Sequence, residues 1–177
     1  DIYYEHCSYF TCGTHASLFK RSGFEIDSIR LDYADQYIIQ YARPTAKSSA
    51  DSAAADEVRI SELVQSFPDK VTGVQNRWQS YIREKSSAGK TLVTWGGGSK
   101  SVAFLTTLGI GDAVRNVVDI NPFKQGKYLP GTGHQVISPD ELRKVKPDIV
   151  VVMNPIYIDE IAATLQALEM SCEIVAV

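Results

Sequence analysis

The stretch Thr91-Leu92-Val93-Thr94-Trp95-Gly96-Gly97-Gly98-Ser99-Lys100-Ser101 (TLVTWGGGSKS) decides the fold. Thr91 to Trp95 is an apolar run of strand length. It ends in three glycines, and the residues from Ser99 to Leu108 carry a helical pattern closed by Gly109. Strand, glycine turn and helix in that order are the start of a β-α-β unit. Reading onward, the alternation continues. Asn116–Ile120 reads as a strand and Gln135–Ser138 as a short one. Pro139-Asp140-Glu141 opens a short helix with Ser138 as its N-cap. Asp148–Met153 (DIVVVM) is a continuous apolar run, as expected of a strand buried on both faces. Asp159–Met170 reads as a helix and Glu173–Val177 as a last strand. The repeated order predicts an α/β domain over residues 90–177, a Rossmann-like, mostly parallel sheet with helices on both faces.

The glycine turn is also the first candidate site. Glycine permits close backbone approach, and a helix N-terminus offers free N–H groups and partial positive charge to an anion. Gly96-x-Gly98-x-x-Ser101 is a GxGxxG pattern with serine in third place, and Asp119 ends the next strand about 20 residues on, where such folds bind a ribose hydroxyl. The alternative is a tight turn with no ligand. Asn121 to Thr132 (NPFKQGKYLPGT) leaves the carboxyl end of that strand as a loop punctuated by glycine and proline. Its Lys124 and Lys127 suit a diphosphate, or else simply face water. Asn154 follows the buried strand at the same edge and suits either a ligand or the backbone of its own turn. The candidate substrate-binding set is therefore Gly96, Gly98, Lys100, Asp119, Asn121, Lys124, Lys127 and Asn154.

Towards the N-terminus the pattern changes. Thr14–Arg21 has helical spacing and Gly23 just past its end. Phe24–Leu31 alternates like a half-buried strand, with Tyr33 as a weaker extension, and Tyr37–Ala42 reads as a second strand. A helix and two strands cannot make a full domain; residues 1–44 read as the tail of one. Residues 45–89 form a linker and helical segment. Its start, Thr45–Ala55 (TAKSSADSAAA), is small and polar. From Asp56 to Ser86 the spacing is helical, and Pro68 predicts either two helices or one bent helix. Trp78, Tyr81 and Ile82 form a stripe expected to pack on the chain's own domain.

The 177 residues carry a formal charge of −3 with acids and bases interspersed, which gives no field for nucleic acid. No apolar run approaches the ~20 residues of a membrane helix. The start, Asp1-Ile2-Tyr3-Tyr4-Glu5-His6, has neither initiator methionine nor signal-peptide pattern, so a piece of a longer chain is expected. Three sparse cysteines suggest a reducing compartment and a cytoplasmic location. His6, Cys7, Cys12 and His15 carry zinc-type donors, but at no common spacing, and no metal is expected.

The runs WGGGSKSVAFLTTLG, VVDINPFKQGKYLPGTG and DIVVVMNPIYIDEI resemble the C-terminal domain of three-domain, S-adenosylmethionine-dependent C-methyltransferases of class I, a family that includes enzymes acting on nucleotide-linked deoxysugars. YYEHCSYF and LFKRSGFEI resemble the end of that family's catalytic domain, so the likeness covers nearly the whole chain. The family's Tyr-x-Glu-His segment falls on Tyr3, Glu5 and His6. The resemblance implies that His6 is the base removing a proton beside a ketone, that Glu5 orients it, and that Tyr3 contacts substrate or enolate. Histidine suits the task, because its ordinary pKa lies near working pH. The family's Gly-Gly-Ser stretch at the second strand reads Asp35-Gln36-Tyr37 here.

The resemblance further implies S-adenosylmethionine as cofactor, bound mostly upstream, so that this piece alone is expected to be inactive. It also implies a small-molecule acceptor such as a nucleotide-linked keto sugar, with an oligomer possible. Two other readings of the glycine turn stay open: a non-catalytic nucleotide-binding or oligomerisation module, and an NAD-dependent enzyme.

Overall fold

A computed structural model describes residues 6–46 and 54–177, side chains of 54–58 excepted. It divides into two compact units, one holding Thr72–Val177 and the other Cys7–Val71.

In the smaller unit, α1 (Cys12–Arg21) is followed by β1 (Phe24–Asp32) and β2 (Tyr37–Pro44), which pair antiparallel. The helix begins two residues before the expected start because Thr11 and Thr14 form a capping box, each side chain serving the other's backbone N–H. Gly23, at φ 84°, follows the C-cap Ser22. Tyr33 does not extend the strand: Tyr33, Ala34 and Asp35 all take positive φ in the hairpin turn. Phe19 of α1 meets Phe24 of β1 edge-on at 5.5 Å. The small polar stretch at 47–53 lies outside the described residues.

A single helix, α2 (Ala54–Ser87), contains Pro68, so of the two expected alternatives the pair of separate helices does not form. Pro68 is exposed, and the carbonyl that loses its partner four residues back belongs to exposed Val64. In the larger unit the end of α2 brings buried Trp78 and Ile82 to a sheet.

That sheet holds β3 (Leu92–Trp95), β4 (Val114–Val118), β5 (Val136–Ile137), β6 (Ile149–Val152) and β7 (Glu173–Ala176), all parallel, in the order β5-β4-β3-β6-β7. Crossover helices are α3 (Ser99–Leu108), α4 (Leu142–Val145) and α5 (Ile158–Ala167). A one-turn 3-10 helix, Pro139–Glu141, precedes α4, and Ser138 caps it reciprocally with Glu141.

The expected apolar runs are buried on both faces. Leu92, Val117, Ile149 and Val151 pack with Trp78, Ile82, Leu105 and Leu108 on one side. Val93, Val118, Val150 and Val152 pack with Leu142, Ile161 and Leu165 on the other. Successive strand residues point to opposite faces, so a strand covered by helices on both sides must be apolar throughout. This is the Rossmann-like sheet read from the sequence.

Candidate functional site

In the sheet order the chain first steps outward from β3 to β4 and β5, then returns to lay β6 on the other side of β3. The crevice outside the carboxyl ends of β3 and β6 is thus a topological switch point, where open α/β sheets bind ligands. A cavity of about 340 Å³ lies there, within the size range of small-molecule sites. Trp95 and Gly96 line it from the end of β3, Asp119 and Ile120 from beyond β4, Met153 and Asn154 from beyond β6. Lys124 reaches it from the loop, and Tyr157, Glu160 and Thr164 close the wall around the start of α5.

The glycine turn is built around Asp119, which is 7% exposed. Its Oδ2 accepts from the Gly97 N–H at 2.7 Å and from Lys124 Nζ at 3.1 Å; its Oδ1 accepts from the Asn121 N–H at 2.8 Å. A carboxylate has about four acceptor positions, so one remains on Oδ1. A Cβ on Gly97 would sit 3.0 Å from Oδ2, so this close approach requires glycine. Gly96 has φ 115°, and a Cβ there would press on Met153 at 3.3 Å. Ser101 donates its hydroxyl proton to the Gly96 carbonyl, tying the helix back to the turn.

The loop after β4 is held from within. Gln125 donates to the Asp119 carbonyl at 2.9 Å, Asn121 Oδ1 accepts from the Phe123 N–H at 3.0 Å, and the Gly126 N–H reaches the Val136 carbonyl at 2.8 Å. Lys124 is anchored at both its backbone and its Nζ. At the far side of the loop, buried His134 places Nε2 2.9 Å from the Gly111 carbonyl.

Of the expected binding residues, Gly96, Asp119, Lys124 and Asn154 meet in the one cavity. Gly98, Lys100, Asn121 and Lys127 do not line it. Gly98 is the N-cap of α3 and Lys100 lies in its first turn. Asn121 shapes the loop, and Lys127 is exposed. Asn154 caps the one-turn helix Pro155–Tyr157 through the Ile156 N–H and also faces the cavity. Sequence reasoning passed over Trp95, Tyr157, Glu160 and Thr164. The spacing of Glu160 and Thr164, one helical turn apart, was the available signal.

At the other end of the chain, His6 is exposed ahead of α1, and Tyr3 and Glu5 lie outside the described residues. His15 puts Nδ1 3.1 Å from Gln40 Oε1. Among the described residues no group of three or more His, Cys, Asp or Glu is placed to hold a metal, and no helix is long and apolar enough to cross a membrane.

Comparison with known proteins adds to this geometry. Residues 28–175 match the family described as C-methyltransferase C-terminal domain. C-methyltransferase NovU of Streptomyces niveus is 28% identical over 171 residues, 90% of this chain and 41% of that protein. The chain thus spans about two fifths of that relative's length. Among solved structures, RSP, a Rex-family repressor, is similar with a TM-score of 0.36 and 16% identity over 50% of this chain and 54% of its own. RSP in complex with beta-NADH gives a TM-score of 0.36 and 13% identity over 73% and 88%. The fold rests on the strand order rather than on these two likenesses. The family match, covering most of both units, decides the identity: the chain belongs to the C-methyltransferase family and carries its C-terminal domain.

Proposed function

We propose that the switch-point cavity recognises the acceptor of a methyl transfer to carbon, a small keto-bearing molecule of the nucleotide-linked sugar type. The observation that carries the reading is the cavity's place at the carboxyl ends of β3 and β6, with Gly96, Asp119, Lys124 and Asn154 converging on it. Gly98, Lys100, Asn121 and Lys127 surround the same sheet edge in sequence and complete the proposed binding set.

In this reading the chain works as part of a longer cytoplasmic polypeptide, as NovU is longer, and S-adenosylmethionine bound elsewhere in it supplies the methyl group. The chain's own chemistry falls on its first residues. His6 takes the proton from the carbon beside the ketone, and Glu5 orients the imidazole for that transfer. Tyr3 contacts the substrate as the C–H electron pair becomes an enolate. That electron pair forms the new bond to the methyl carbon, and the S–CH3 pair returns to sulfur. The 177 residues alone have no turnover, because the donor is held by another part of the protein.

Calorimetry of this chain tests the assignment of ligands. A nucleoside diphosphate should bind and S-adenosylmethionine should not; tight donor binding here would contradict it. In the longer protein, His6→Asn should abolish turnover with donor affinity unchanged. Surviving turnover would remove His6 from the role of base.

A further inference from the structure

Resting on the reading that the switch-point cavity receives the substrate, the charges of its wall settle which part of a substrate belongs inside. The charged side chains that line it are Asp119, Lys124 and Glu160, two carboxylates against one ammonium. The ammonium is already matched, since Lys124 Nζ lies 3.1 Å from Asp119 Oδ2. Among the described residues Glu160 makes no ion pair, and it is one of the residues lining the cavity. The other two candidate lysines, Lys100 and Lys127, do not line it. The remaining wall is largely apolar, with Trp95, Ile120, Val152 and Met153 among its residues.

Among the described residues, a phosphate group placed here would meet two carboxylates and a single ammonium already paired with Asp119, beside apolar surface. Charge repulsion is stronger where water is displaced, so that arrangement is unfavourable. An uncharged ring with O–H or N–H donors meets the opposite situation. Its faces contact apolar side chains, and its donors find the Glu160 carboxylate and the acceptor position left on Asp119 Oδ1. We infer that the cavity takes the uncharged, donor-bearing ring of its ligand, that phosphate groups stay outside, and that Glu160 is the specificity-determining acceptor. Two parts of a nucleotide-linked sugar have this chemistry, the nucleoside and the sugar ring.

The test is competition calorimetry on the 177-residue chain with thymidine, methyl glucoside, inorganic pyrophosphate and a nucleoside diphosphate. One of the two uncharged compounds should compete with the nucleoside diphosphate, and which one does so identifies the ring. Its affinity should change less than about twofold between about 50 mM and about 500 mM salt, because no net charge is exchanged. Pyrophosphate should neither bind nor compete. Glu160→Gln, at an exposed helix position that leaves the melting temperature unchanged, should weaken the uncharged compound about tenfold through loss of a charge-assisted hydrogen bond. Pyrophosphate competition, or an unchanged affinity in Glu160→Gln, overturns the inference. So does a nucleoside diphosphate that binds when neither ring compound does; the switch-point reading survives that result. If the nucleoside diphosphate fails to bind as well, the switch-point reading itself falls, and this inference with it.

Discussion

Replacing Gly97 by alanine isolates the contact on which the site is built. The backbone at Gly97 is not in the positive-φ region, so the substitution adds no conformational strain. The added methyl carbon would lie 3.0 Å from Asp119 Oδ2, 3.4 Å from Asp119 Cβ and 3.5 Å from Val117 Cγ1. Val117 is fully buried in the sheet, so Asp119 must give way. Its carboxylate then stretches or breaks the 2.7 Å bond from the Gly97 N–H, inside a site only 7% exposed. A lost charge-assisted bond and mild overpacking together cost about 2–4 kcal/mol. Gly98→Ala is the matched control: nothing lies within 4 Å of its added carbon, and φ is −113°. Gly98→Ala should cost less than about 1 kcal/mol, the size of an N-cap preference. Urea unfolding followed by fluorescence reads both variants, because Trp95 sits on the cavity wall. Equal costs for the two alanines would refute the idea that Asp119 fills the turn.

Three further outcomes follow from local chemistry. Thr94 is fully buried in β3 and its hydroxyl has no partner in the structure, so Thr94→Val should leave stability unchanged or raise it by about 1 kcal/mol in urea unfolding. Burial, and then the hydrogen bond to Glu173, push the Tyr81 hydroxyl up to about 12. A raised folded pKa means that the associated stability is intact below about 10 and is lost as pH climbs from there towards 12; Tyr81→Phe should flatten that alkaline decline in a pH series of melts. Asp148 is held below the usual carboxylate range by the Thr91 N–H and then by Lys90. Its contribution is present above the unfolded pKa and lost as pH falls through the folded one, so Asp148→Asn should destabilise at neutral pH and the gap to wild type should close in strong acid.

Much of the larger unit is legible because burial on both faces leaves long apolar marks. The runs Asp148–Met153 and Thr91–Trp95 hold the strands Ile149–Val152 and Leu92–Trp95 of the fold, and Ser99–Leu108 is the same helix in both. The misreadings are local. Tyr33 looks like a strand residue by chemistry, yet the hairpin turn needs three consecutive positive-φ positions and takes it into the turn. Pro68 leaves two helices or one bent helix open in the sequence, and on an exposed helix face a single helix continues through it. Part of the candidate site is legible for a clear reason: Gly96 and Asp119 belong to one local β-α-β unit. Of the opposite wall only Asn154 is, because Tyr157, Glu160 and Thr164 reach the glycine turn only through the pairing of β6 with β3. Periodicity within a segment says nothing about which strands become neighbours.

The central claim, that the sheet's switch point holds the ligand, is tested most directly by mapping backbone amide shifts of this chain during titration with a nucleoside diphosphate. The shifts should concentrate at Gly96, Gly97, Asp119, Lys124 and Asn154 and extend to Glu160 at the start of α5. Shifts confined to α1 and the β1–β2 hairpin, or no shifts at saturating ligand, would contradict it.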